Sequence, residues 1–171
     1  MNGLDKNNVA LAGEFAVLSQ LALHGYDANM TLGRTKSFDI FVSHPKTKEM
    51  FKLEVKTKYR TSSKESTKSK LFGEVVGKWM MQGKHETIID PTLFYCFVMF
   101  CKPTTTVQFY IVPSKVVARY VKKEHQLSRE NGGKDNDIRM FRLGLENARE
   151  KYRITTPSAQ SYNNNWKFLA S

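Results

Sequence analysis

The chain predicts a single α/β domain spanning residues 1–171, and three stretches carry that expectation. Residues 9–24 follow a helical pattern that ends at Gly25. Two alternating segments, 37–43 and 50–58, read as a hairpin. A nearly unbroken apolar run over 92–101 reads as a strand buried on both faces. At 171 residues the chain has room for one domain rather than two full-sized ones, and 40% apolar residues are enough to build a core.

The first helix is expected over residues 9–24, with Leu11, Phe15, Leu18, Leu21 and Ala22 as its core stripe and Gly25 as its stop. Glu14 falls three residues after Leu11 and four before Leu18, so it lies along that apolar seam, an unusual place for a carboxylate. A weak strand follows at 26–32. In the next, 37–43, Phe38, Ile40 and Val42 share one face while Asp39 and Phe41 share the other. The sequence HPKTKE makes a turn. Residues 50–58 then put Phe51, Leu53 and Val55 on one face and Lys52, Glu54, Lys56 and Lys58 on the opposite one.

Residues 60–70 are polar, basic and turn-rich, and read as a mobile loop. A short strand is expected at 75–81, a helical turn at 84–89, the buried strand at 92–101 and another strand at 107–112. A helix over 115–126 carries Val116, Val117, Tyr120 and Val121 on one side. A surface loop, SRENGGKDND, follows it. A late strand at 140–143 precedes a C-terminal tail, 144–171, whose Trp166 and Phe168 are expected to dock on the body.

Lysine and arginine number 27 against 16 acidic residues, a formal charge of +11. Such a surplus attracts polyanions, nucleic acid first among them. The N-terminal residues lack the basic-then-apolar layout of a signal peptide, and no apolar run is long enough to span a bilayer, so a cytoplasmic protein with no membrane partner is expected. Cys96 and Cys101 lie five apart in one strand, hence on opposite faces, and are read as buried thiols rather than a disulfide or zinc pair. His24, His44, His85 and His125 are scattered without ligand spacing; His85 with Glu86 can approach the site after the loop, with a surface role the preferred reading. Trp79 and Trp166 are read as core or lid residues.

The pattern that carries chemistry is an acidic residue on a strand followed across the hairpin by Glu-x-Lys: Asp39, then Glu54-Val55-Lys56. Two carboxylates converging on one strand face repel each other, and burial adds a desolvation cost. A divalent cation offsets both, and hard oxygen ligands suit Mg2+, with Mn2+ as a substitute. Lys56, two residues beyond Glu54, shares its face. There its ammonium can hold or help deprotonate an attacking water and stabilise charge on a phosphate. Glu14 can supply a further ligand or orient a metal-bound water. The competing reading of Glu54 and Lys56 is an exposed charged strand face in line with Lys52 and Lys58. Lys58, Arg60, Lys64, Lys68 and Lys70 are candidates to contact nucleic-acid phosphates, and the 60–70 loop can equally be a plain solvated loop.

Helix with glutamate, strand with aspartate, strand with Glu-x-Lys, in that order, resembles the PD-(D/E)XK nuclease superfamily, which includes restriction endonucleases and Holliday-junction resolvases. The match covers residues 9–58. The proline that precedes the family's aspartate is Phe38 here. The resemblance implies a restriction-endonuclease-like α/β core, a central mixed sheet flanked by helices in α-β-β-β-α-β order. It also implies metal-dependent endonucleolytic hydrolysis of phosphodiester bonds, with DNA the expected substrate. Asp39, Glu54 and the Val55 carbonyl would be metal ligands, Lys56 the catalytic lysine and Glu14 the helix-borne acid. Cutting both strands would call for a homodimer. The alternative is a nucleic-acid-binding module that keeps the fold without cleaving.

Overall fold

The computed structural model describes residues 5–31, 37–60, 64, 66–102, 106–145 and 154–168. Parts of the expected first strand (residue 32), the basic loop (61–63 and 65) and the tail (146–153 and 169–171) lie outside the described residues. The elements run α1 (Lys6–Leu23), β1 (Asp27–Met30), β2 (Ile40–Ser43), β3 (Met50–Arg60), β4 (Thr67–Ser69) and β5 (Gly73–Gln82). A 3-10 turn (Gly83–Glu86) leads to β6 (Leu93–Cys101), β7 (Thr106–Pro113), α2 (Ser114–Glu130), β8 (Ile138–Gly144) and α3 (Ala159–Tyr162).

Five strands form a central mixed sheet in the order β1-β2-β3-β6-β7. Its pairs are antiparallel except for β3 and β6, which run parallel with Glu54 opposite Tyr95. A parallel pair needs a crossover. Here β4, β5 and the 3-10 turn make it, and β4, β5 and β8 form a second, antiparallel sheet. The expected α-β-β-β-α-β order therefore holds as far as β3, after which four more strands precede α2.

β6 is the wall between two cores. Leu93, Tyr95, Phe97 and Met99 face α2 and the second sheet, where the Phe97 and Phe141 rings stack 4.4 Å apart. Phe94, Cys96 and Val98 face α1 and the C-terminal segment. The alternation of the strand thus sends Cys96 and Cys101 to opposite cores, both as free thiols. Trp79, Trp166 and Phe168 are buried. Phe168 stacks on Phe51 and meets Phe94 and Tyr26 edge-on, which seats these described residues of the tail on the body.

Four expectations need correction. α1 begins at Lys6, three residues early, because Asp5 caps it by accepting from the Asn7 N–H at 2.9 Å. Its buried face is Gly13, Val17 and Leu21, whereas Leu11, Phe15 and Ala22 are exposed. The rotation follows from Gly13. A Cβ there would run into the Thr57 side chain, so the bare backbone is what lets the helix lie against β3. The basic segment is likewise not loop throughout, since Thr67–Ser69 pairs with Gly73–Val75 as a strand. α2 also runs on to Glu130, into the segment expected as loop.

Candidate active site

The hairpin of β2 and β3 sets the site. Ile40 pairs with Leu53, and the Asp39 N–H donates to the Leu53 carbonyl at 2.8 Å. Asp39 precedes β2, and its N–H stays on Leu53, the partner of Ile40, instead of stepping on to Glu54. Alternate residues of a strand point their peptide groups to alternate neighbours. Val55, two residues past Leu53, therefore turns its N–H and carbonyl to the β2 side, beyond the point where β2 begins. The Asp39 carboxylate receives that N–H, at 2.7 Å.

Glu54 is buried, yet polar partners hold it. Lys56 Nζ lies 2.5 Å from its Oε1, and His85 Nε2 lies 3.2 Å from the same oxygen. Burial alone would raise the Glu54 pKa. The hydrogen bonds and charges of His85 and Lys56 outweigh it, and the carboxyl is held below its ordinary range. Tyr95, opposite Glu54 on β6, feels the carboxylate in turn: burial and the Glu54 charge push its phenol far up.

Asp39 and Glu14 behave differently. Burial raises Asp39, and Glu54 adds to the rise. The Val55 N–H and Lys56 only partly offset it. Burial, and then the Asp39 carboxylate, raise Glu14. The four residues singled out in the sequence thus form an electrostatic chain, with Glu14 acting on Asp39, Asp39 on Glu54, and Lys56 on both of the latter. Among the described residues, no three His, Cys, Asp or Glu side chains stand close enough together to hold a metal ion as they are placed.

The basic candidates divide. Lys58, Arg60 and Lys64 line a groove of about 410 Å³ beside β5, joined there by Lys78. Lys68 and Lys70 do not line it; Lys68 pairs across the ladder with Glu74, and Lys70 sits in the turn after β4.

Sequence reasoning misses Tyr95 and prefers the surface for His85. His85 is buried, held by Gln82 backbone contacts of 3.0 Å and packed edge-on to Tyr95. Spacing cannot place it, because the crossover folds it back over β3. Tyr95 was hidden in an apolar run, where its lone phenol was the available signal.

A mixed sheet with α1 on one face and α2 on the other is the α/β architecture the sequence predicts. Among solved structures the chain is similar to a bacterial homing endonuclease, I-Ssp6803I, with a TM-score of 0.54 and 14% identity, covering 95% of this chain and 88% of that one. At that identity the likeness bears on the fold. No family model matches the chain, and no curated protein is significantly similar to it. No helix among the described residues is long and apolar enough to cross a membrane.

Proposed function

We propose that the chain is a metal-dependent endonuclease of the PD-(D/E)XK type that hydrolyses phosphodiester bonds, with DNA as substrate. The observation that carries the reading is the Asp39–Glu54–Lys56 cluster, with Asp39 and Glu14 driven toward protonation by burial and by neighbouring carboxylates. Carboxylates in that state are waiting for positive charge, and an all-oxygen donor set fits Mg2+ or Mn2+. Asp39, Glu54 and the Val55 carbonyl would hold the ion, with Glu14 beside them. When bound, it lowers the pKa of water and withdraws charge from a phosphate oxygen.

The chain's own residues supply the rest. Lys56 carries its ammonium on the carboxylate face, where it can orient a water and stabilise the charge that builds on the phosphate as the P–O bond breaks. His85 pins Glu54 from the protein side and so fixes where its carboxylate points. The fold likeness to a homing endonuclease and the +11 charge support a nucleic-acid substrate.

A second reading, a nucleic-acid-binding module that keeps the fold without cleaving, is favoured by one observation: Glu54 is already paired with Lys56 and in hydrogen-bond contact with His85. Incubation with plasmid, single-stranded DNA and RNA, with Mg2+, Mn2+ or EDTA, separates the two. Nicking that EDTA silences and that Glu54→Gln abolishes supports the nuclease. Salt-dependent binding without nicking under any of these conditions leaves the module.

A further inference from the structure

Along β3 the charged face continues past the site. Lys56, Lys58 and Arg60 alternate with residues of the other face, so their side chains recur every ~6.8 Å. That step is comparable to the separation of successive phosphates along a nucleic-acid strand. The far end of the row opens into the groove of about 410 Å³ between β3 and β5, lined by Lys58, Arg60, Lys64 and Lys78, with Thr67 as a hydroxyl neighbour and the Ser66 hydroxyl donating to Glu74. No acidic side chain lines it among the described residues.

We propose that this groove is a subsite for a non-reacting phosphate of the substrate strand, next to the phosphate held at Glu54 and Lys56, and that Lys78 of the second sheet is one of its binding residues. The inference deepens the nuclease reading and rests on it. Lys78 did not stand out in the sequence. β5 carries it to the groove because the crossover from β3 folds back beside β3 before β6 begins.

The electrostatics agree with the geometry. Burial, Lys78 and Arg60 together make Lys58 give up its proton more readily than usual, the mark of cations crowded against one another. An anion between them removes that repulsion. An ordinary solvated lysine face would have its charges spread apart, whereas here two strands from different sheets converge them.

The test uses the full chain as wild type, Lys78→Ala and, as control, Lys134→Ala in the exposed loop after α2. Binding of a labelled DNA oligonucleotide is measured in EDTA across a range of salt. Lys78→Ala should lower the slope of log affinity against log salt by about 1, and Lys134→Ala should leave it unchanged. In the second arm, cleavage is followed on oligonucleotides carrying one neutral methylphosphonate at successive positions around the cut. Wild type should lose ~10-fold or more at one neighbouring position, and Lys78→Ala should show no added loss there. An unchanged salt slope in Lys78→Ala, or the same methylphosphonate profile in both proteins, overturns the subsite. If wild type binds but never cleaves, the nuclease reading fails, and the salt slope still decides whether Lys78 holds a phosphate.

Discussion

The proposed chemistry turns on Glu54, and its two partners invite separate substitutions. Lys56→Ala should lower cleavage by ~10²-fold or more, since it removes charge at the reacting phosphate, while leaving the thermal midpoint close to wild type. His85 acts through Glu54. His85→Leu should lower cleavage ~10–100-fold, and His85→Gln, whose amide can reach Glu54 from a similar distance, should recover part of it. Equal activity in His85→Leu and His85→Gln would remove the positioning role. Asp39 and Glu14 bind protons more readily folded than unfolded, so their ionisation costs stability as pH rises through their raised values. Glu54 runs the other way: its charge stabilises above the ordinary carboxylate range, and that contribution goes as pH falls through its lowered value. Asp39→Asn should therefore raise the thermal midpoint at neutral pH in EDTA. It should also abolish the gain that Mg2+ or Mn2+ gives wild type, about 5–10 °C at a hundredfold excess over Kd. A metal-induced gain of the same size in Asp39→Asn would exclude it as a ligand.

Among the elements, α1 and the entry to β6 are the informative ones. Gly13→Ala improves helix propensity, yet the new methyl meets Thr57, and a net loss of about 1–3 kcal/mol is expected in urea unfolding. The loss should shrink in a Thr57→Ala background. Asp90 ties three segments at the start of β6. It takes Lys52 at 2.6 Å and the Thr92 N–H and hydroxyl at 2.8 Å, while Ser114 at the start of α2 bonds its backbone. The Lys52 hydrogen bond and the Thr92 bonds bring its pKa down to about 2. The stability it adds is present above its unfolded pKa and lost as pH falls from about 4 to about 2. Urea midpoints measured over that window should drop more steeply for wild type than for Asp90→Asn, and parallel curves would show the tie to be inconsequential.

At the scale of the molecule, the hairpin and the buried strand were legible because their signals are local. Alternation alone separated Leu53 and Val55 from Glu54 and Lys56, and the docking of Trp166 and Phe168 followed from two aromatics in a polar tail. What the sequence concealed depends on tertiary placement. The face of α1 is chosen by the fit of Gly13 to Thr57, which outweighs the larger apolar residues Leu11 and Phe15. His85 reaches Glu54 and Lys78 reaches the groove beside β3 because a β-ribbon crossover, not a helix, joins β3 to β6, and no periodicity encodes which way a crossover folds. The parallel register that sets Tyr95 against Glu54 is a contact between distant segments, invisible to any local pattern.

β6 carries one more implication, for how the chain reaches this state. Its nine residues, LFYCFVMFC, are apolar, β-prone and without charge, the composition that pairs readily with copies of itself. It is shielded only when β3 and β7 flank it and both cores have closed, and the parallel pairing with β3 is a slow, long-range step. Refolding yield should accordingly fall with chain concentration and recover on dilution, and a lysine placed in this ribbon to discourage self-association would spoil two cores at once.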